Sequence, residues 1–61
     1  MERHIRFLVR HCADCRIKSL TLKTKESRNK YYKEWLDTFH SLPSQYVAEY
    51  ERVYLKRIEN L

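Results

Sequence analysis

The sequence predicts a mainly α-helical protein, and three observations carry that prediction. The 61 residues include no glycine and a single proline, Pro43, so tight turns that need positive φ have no ready residue and a meander of short hairpins is disfavoured. Apolar residues recur three and four positions apart through the second half of the chain, the spacing of one helix face. Opposite charges stand four apart at Glu26/Lys30, Lys30/Glu34 and Lys33/Asp37, pairs that each add about 0.2–0.5 kcal/mol to a helix. The expected architecture is one small domain over residues 1–61. In it a helical hairpin over about 25–61 packs against a basic N-terminal segment, residues 1–24, that carries a CxxC pair.

Residues 2–23 admit two readings. As a helix over 3–15, Ile5, Leu8, Val9, Cys12 and Cys15 or Arg16 form a stripe, with 16–24 extended or in a loop. As a β-hairpin, Ile5, Phe7 and Val9 alternate on one strand and Leu20 and Leu22 on another, with the turn at Cys12–Cys15. β-Branched Ile17, Thr21 and Thr24 favour strand. The missing glycine and the marginal stability of an isolated hairpin favour helix. Helix is the preferred reading, and the hairpin stays open as the alternative.

Residues 25–42 give the clearest helix signal. Tyr32, Trp35, Leu36 and Phe39 fall at i, i+3, i+4 and i+7, one apolar stripe. Thr24 or Ser27 can cap its start. Pro43 disfavours helical geometry at Leu42, so the helix should stop near His40–Leu42. The last helix should begin near Ser41–Ser44, with either serine as cap, and carries the stripe Val47, Tyr50, Val53, Tyr54, Ile58 and Leu61. Glu49 and Glu51 lie early in it and Lys56 and Arg57 late, which suits the helix dipole. The short joint makes the two helices neighbours, as in an antiparallel hairpin.

Charge divides the chain. Residues 1–33 hold ten Lys/Arg against three Asp/Glu, and residues 34–61 hold three against five, so a strongly basic half precedes a slightly acidic one. On a helix Arg3, Arg6 and Arg10 share a face at i, i+3 and i+7. With Arg16 and Lys18 they are the candidate contacts to phosphate or to an acidic partner, and phosphate contacts would make binding fall steeply with salt. Aromatic residues make up 13% of the chain. Two helices of a 61-residue monomer cannot hide so many rings, so a homodimer is expected. Tyr32, Trp35, Leu36, Phe39, Tyr50 and Tyr54 are the candidate interface, with Trp35 and Phe39 near its centre.

Cys12 and Cys15 have the spacing of a zinc knuckle. A second CxxC is missing, and the only further ligands within imagination are histidines. The candidate set Cys12, Cys15 and His40 is therefore outweighed by the simpler reading of two partly buried thiols on a helix face, and no cofactor is expected. No constellation for catalysis stands out, so the chain is read as a non-enzyme, and the absence of glycine rules out Walker and GxGxxG loops. No apolar run is longer than that of Phe7-Leu8-Val9, too short to span a membrane. A signal-peptide apolar region is missing too, so a cytoplasmic location is expected.

In size, absence of glycine and Lys/Arg/Tyr-rich helices, the whole chain resembles the small accessory proteins that temperate bacteriophages express early. The resemblance rests on composition and not on a motif. It implies the host cytoplasm and a regulatory role through binding another protein. The functional expectation is thus a small helical interaction protein that occludes a host or partner protein as a homodimer. The alternatives are a nucleic-acid-binding regulator using the basic half, or a small zinc module.

Overall fold

A computed structural model describes residues 2–61, and consecutive helices joined by short turns pack in a helix–turn–helix-like manner. Helix α1 spans Arg3–Thr21 and helix α2 spans Lys25–Ser41. A 3₁₀ turn, Ser44–Tyr46, leads into helix α3, Val47–Glu59. The described residues include no strand, so the mainly α class holds and the β-hairpin alternative for 2–23 is overturned.

The helix in that segment also runs further than residue 15, through Ile17 and Thr21, where an extended stretch was expected. Local and tertiary bonds override the β-branched preference there. The Thr21 hydroxyl donates to the Ile17 carbonyl at 2.8 Å and the Ser19 hydroxyl to the Arg16 carbonyl at 2.6 Å, a back-bonding that helices accommodate. Arg16 and Lys18 lie over aromatic rings of α2, which holds this last stretch of α1 against its neighbour.

Both joints are built without a left-handed residue. Leu22 and Thr24 are extended, as are Leu42 and Pro43, and no described residue has positive φ. The Thr24 side chain accepts from the Ser27 backbone N–H at 3.1 Å and so caps α2, satisfying one of the free donors of its first turn. Arg28 reaches back across the joint and donates to the carbonyls of Leu22 and Lys23, at 2.7 and 3.1 Å. Neither Ser41 nor Ser44 caps α3. The chain leaves Pro43 into the 3₁₀ turn, in which the Tyr46 N–H donates to the Pro43 carbonyl at 2.9 Å. None of the three expected i,i+4 ion pairs of α2 forms among the described residues. Glu34 instead faces His11 across the α1–α2 seam at 3.1 Å, and Lys30 leans over Tyr31.

The core gathers on α1. Ile5, Val9, Cys12 and Ala13 of that helix pack with Leu42 and Tyr50, and Leu8, Trp35, Phe39, Tyr46, Val47, Val53 and Tyr54 close over them. Cys12, Cys15 and Ser19 follow one another at i, i+3 and i+7 and are all buried, a line of small side chains on which a neighbouring helix can sit closely. Helix α3 is tied to the same helix by an ion pair between Arg57 and Asp14. Ile58 and Leu61, counted in the α3 stripe, are exposed, because the core ends about one turn before them.

Surface is left over. The chain exposes 4811 Å², against about 4300 Å² expected for a folded monomer of its mass. Its radius of gyration is 11.4 Å, against about 10.5 Å for its length.

Candidate functional site

Helices α2 and α3 diverge from their joint and leave an open groove of about 430 Å³, lined by Arg16, Trp35, Phe39, Tyr50, Glu51, Tyr54 and Leu55. The rings along it form a continuous series. Centroids lie 5.6 Å apart for Tyr32–Trp35, 5.4 Å for Trp35–Phe39, 5.8 Å for Phe39–Tyr50 and 6.1 Å for Tyr50–Tyr54. The Phe39–Tyr50 contact is edge-on, a geometry that aromatic quadrupoles favour. The Trp35 indole N–H donates to the Tyr50 hydroxyl at 3.0 Å, which locks α2 to α3 at the groove floor. Burial raises the Tyr50 phenol above its ordinary pKa, and the Trp35 hydrogen bond works in the opposite direction. The hydroxyl thus stays protonated well into alkaline solution.

Of the six interface candidates, Trp35, Phe39, Tyr50 and Tyr54 line this groove. Tyr32 stands at its end, 44% exposed, in contact with Trp35. Leu36 is half-buried and outside the groove lining. Three groove residues lie outside these six: Arg16, expected instead among the phosphate or acidic-partner contacts, and Leu55 and Glu51, which belong to no predicted set. Leu55 is 58% exposed and Glu51 sits one turn before it on α3. Both fall beside the apolar stripe, so helical periodicity gives no reason to select them.

The basic residues separate into two groups. The Arg16 guanidinium lies 4.7 Å from the Trp35 ring centroid and 5.9 Å from that of Tyr32, and the Lys18 ammonium 5.0 Å from that of Tyr31. These are cation–π contacts within the fold, so the structure separates Arg16 and Lys18 from the expected phosphate-contacting row. Arg3, Arg6 and Arg10 remain exposed on α1. Together with Phe7, His11 and Asp14 they line a second open cleft of about 400 Å³. Phe7 and His11 stack nearly parallel, 5.4 Å apart and 9° between planes.

The thiols belong to the core. Cys12 is fully buried and Cys15 nearly so, and both are free. Burial, and then the neighbouring Cys15, push the Cys12 thiol up to about 11, with a contact from Trp35 partly offsetting them. Burial and the Glu34 carboxylate push Cys15 up as well, against a smaller opposing effect of Lys18. A metal needs thiolates, and this environment disfavours them. His40, the third candidate ligand, is exposed at the far end of α2. No group of three His, Cys, Asp or Glu side chains among the described residues is placed to hold a metal ion. The candidate set Cys12, Cys15 and His40 is therefore not assembled. The Cys15 sulfur instead lies 3.6 Å from the His11 ring.

None of the helices is long and apolar enough to cross a membrane, among the described residues. Comparison of the chain with models of protein families, with curated proteins and with solved structures finds no match.

Proposed function

We propose that this chain is a non-enzymatic interaction module that works as a homodimer, and that two copies meet through the α2–α3 groove. The observation that carries the reading is the groove itself. It combines an open row of rings with an exposed ridge residue, Leu55, and with one charge of each sign, Arg16 and Glu51, at its edges. Such a patch is self-complementary. Under a two-fold axis, Leu55 of each copy can enter the ring-lined hollow of the other, while Arg16 of each copy faces Glu51 of the other, as an isologous contact requires. A stable interface removes about 800 Å² per copy, roughly a sixth of the 4811 Å² exposed. The surplus surface of the isolated chain is consistent with that. A dimer built this way would act on another protein by covering part of its surface, in a cytoplasmic setting, as the phage-like composition implies.

Sedimentation equilibrium at micromolar concentration tests the reading. The expected mass is twice 7.6 kDa. The Leu55→Asp variant, changed at an exposed position, should fall to the mass of one chain with its helical circular dichroism retained. A wild-type protein that sediments as a single chain, or a Leu55→Asp variant that stays paired, overturns the homodimer.

A further inference from the structure

We infer that the outer face of α1 is a binding site for single-stranded nucleic acid, with Phe7 as a base-stacking platform and Arg3, Arg6 and Arg10 as phosphate contacts. This site is separate from the α2–α3 groove, and its reading stands whether or not the chain dimerises.

Phe7 is the observation that asks for an explanation. It is 61% exposed and takes no part in the core. Its ring is nonetheless held in place by near-parallel stacking on His11. Arginines stand around it, one position before, three after and four before in sequence, and all line the same open cleft. Among the described residues no carboxylate pairs with Arg3, Arg6 or Arg10. The one acid in the cleft, Asp14, is already paired with Arg57, so the cleft is cationic.

Spacing favours a nucleic-acid strand. At 1.5 Å per residue the three arginine positions cover roughly 10 Å of helix. Three cations spread along that length can meet successive phosphates of one strand, each neutralised phosphate on a single strand contributing about −0.7 to the salt slope. An exposed ring beside a cationic track is the arrangement that binds single strands, because any unpaired base has a π-face to stack. A base inside a duplex is not free to do so. An acidic peptide would satisfy the arginines but gives Phe7 nothing to do.

Fluorescence anisotropy of the full chain with short labelled oligo(dT) and oligo(U) tests this. The controls are a duplex of equal length and polyglutamate of matched charge as competitors, at about 25 mM salt. The expected result is preference for the single strands, and the order of oligo(dT) and oligo(U) then shows whether DNA or RNA is the better ligand. The logarithm of affinity should fall with the logarithm of salt with a slope of about −2, as three contacts on a single strand require. Arg6→Glu with Arg10→Glu should abolish binding. Phe7→Ala should weaken it about fivefold or more without changing the salt slope, and Phe7→Trp should keep it. All these side chains are exposed, so the variants should fold, and circular dichroism checks that they do. No binding at low salt, equally strong competition by duplex or polyglutamate, or a Phe7→Ala variant with wild-type affinity overturns the inference.

Discussion

Raising the pH should destabilise this protein through Cys12, by an amount that can be worked out beforehand. The side chain is fully buried on the α1 face of the core. Burial raises its pKa from an ordinary 9.0 to about 11. An unfolded chain releases that proton near pH 9, whereas the folded chain holds it. The sign follows from linkage: the raised pKa costs nothing below pH 9, and stability is lost progressively as pH climbs towards about 11. At pH 10 the unfolded thiol is about nine-tenths ionised and the folded one about one-tenth. The difference is a factor of ten, or about 1.4 kcal/mol. A chain of this length is expected to have only about 3–9 kcal/mol in total, so the loss is measurable. The assay is urea unfolding followed by far-ultraviolet circular dichroism, at about pH 7 and pH 10, on the wild type and on Cys12→Ala. At pH 7 the alanine variant should be less stable by about 1 kcal/mol, because removing a buried sulfur leaves a small void, a cost that is the same at either pH. That offset cancels on comparing the two pH values. Cys15 and Tyr50, both also raised by burial, remain in each protein. The wild type should therefore lose about 1.4 kcal/mol more than Cys12→Ala between the two conditions. Equal losses would refute the reasoning. So would native Cys12 that reacts with a thiol reagent at neutral pH as fast as an unfolded peptide does.

Two further perturbations probe the joints between helices. Tyr50→Phe removes the acceptor of the Trp35 indole N–H while keeping the ring, and should cost about 1 kcal/mol with a change in Trp35 fluorescence; an unaltered unfolding midpoint would mean that the bond contributes nothing. Thr24→Ala removes the cap on α2 and should also cost about 1 kcal/mol, a fall of about 4–8 °C in Tm for so small a domain, whereas Thr24→Ser should retain most of the stability.

How much of this was legible in the sequence differs from helix to helix. Helix α2 was readable because its rings repeat at helical spacing and because Thr24 and Pro43 punctuate its ends; its observed bounds, Lys25–Ser41, lie within a residue of expectation. Helix α1 was half readable. Its inward line, Ile5, Val9, Cys12, Cys15 and Ser19, has regular helical spacing, but it ends in small and weakly polar side chains that a hydropathy count passes over. Ile17 and Thr21 then pulled the reading towards strand. Their preference yielded to packing against α2, which no local window contains. The same seam explains the CxxC pair. Cysteines three apart on a helix share a face, and here that face needs narrow side chains, so a spacing shared with zinc knuckles serves close approach of helices. The missing α2 ion pairs have a similar cause. Glu34 is drawn to His11 and Lys30 to Tyr31, across distances in sequence or onto partners that a charge-pattern rule does not weigh.

The fold also sorts the basic charge, and this decides what the N-terminal half can do. Read along the sequence, Arg3, Arg6, Arg10, Arg16 and Lys18 form one cationic row of a chain with net charge +5. In three dimensions the row breaks at Arg10. Beyond it Arg16 covers Trp35 and Tyr32, and Lys18 covers Tyr31; contacts of this kind at partly exposed sites contribute about 0.5–1 kcal/mol each and tie α1 to α2. Before it Arg3, Arg6 and Arg10 face solvent around an exposed ring. The distinction is one of neighbouring rings. Where α2 supplies aromatic faces, cations of α1 are used to hold the fold. On the face of α1 that lines the second cleft the cations of Arg3, Arg6 and Arg10 form no ion pair among the described residues, and the exposed Phe7 ring beside them is stacked on His11. Reversing charge at Arg16 should therefore lower stability first, and reversing it at Arg6 or Arg10 should leave the melting midpoint nearly unchanged while removing affinity for anionic strands.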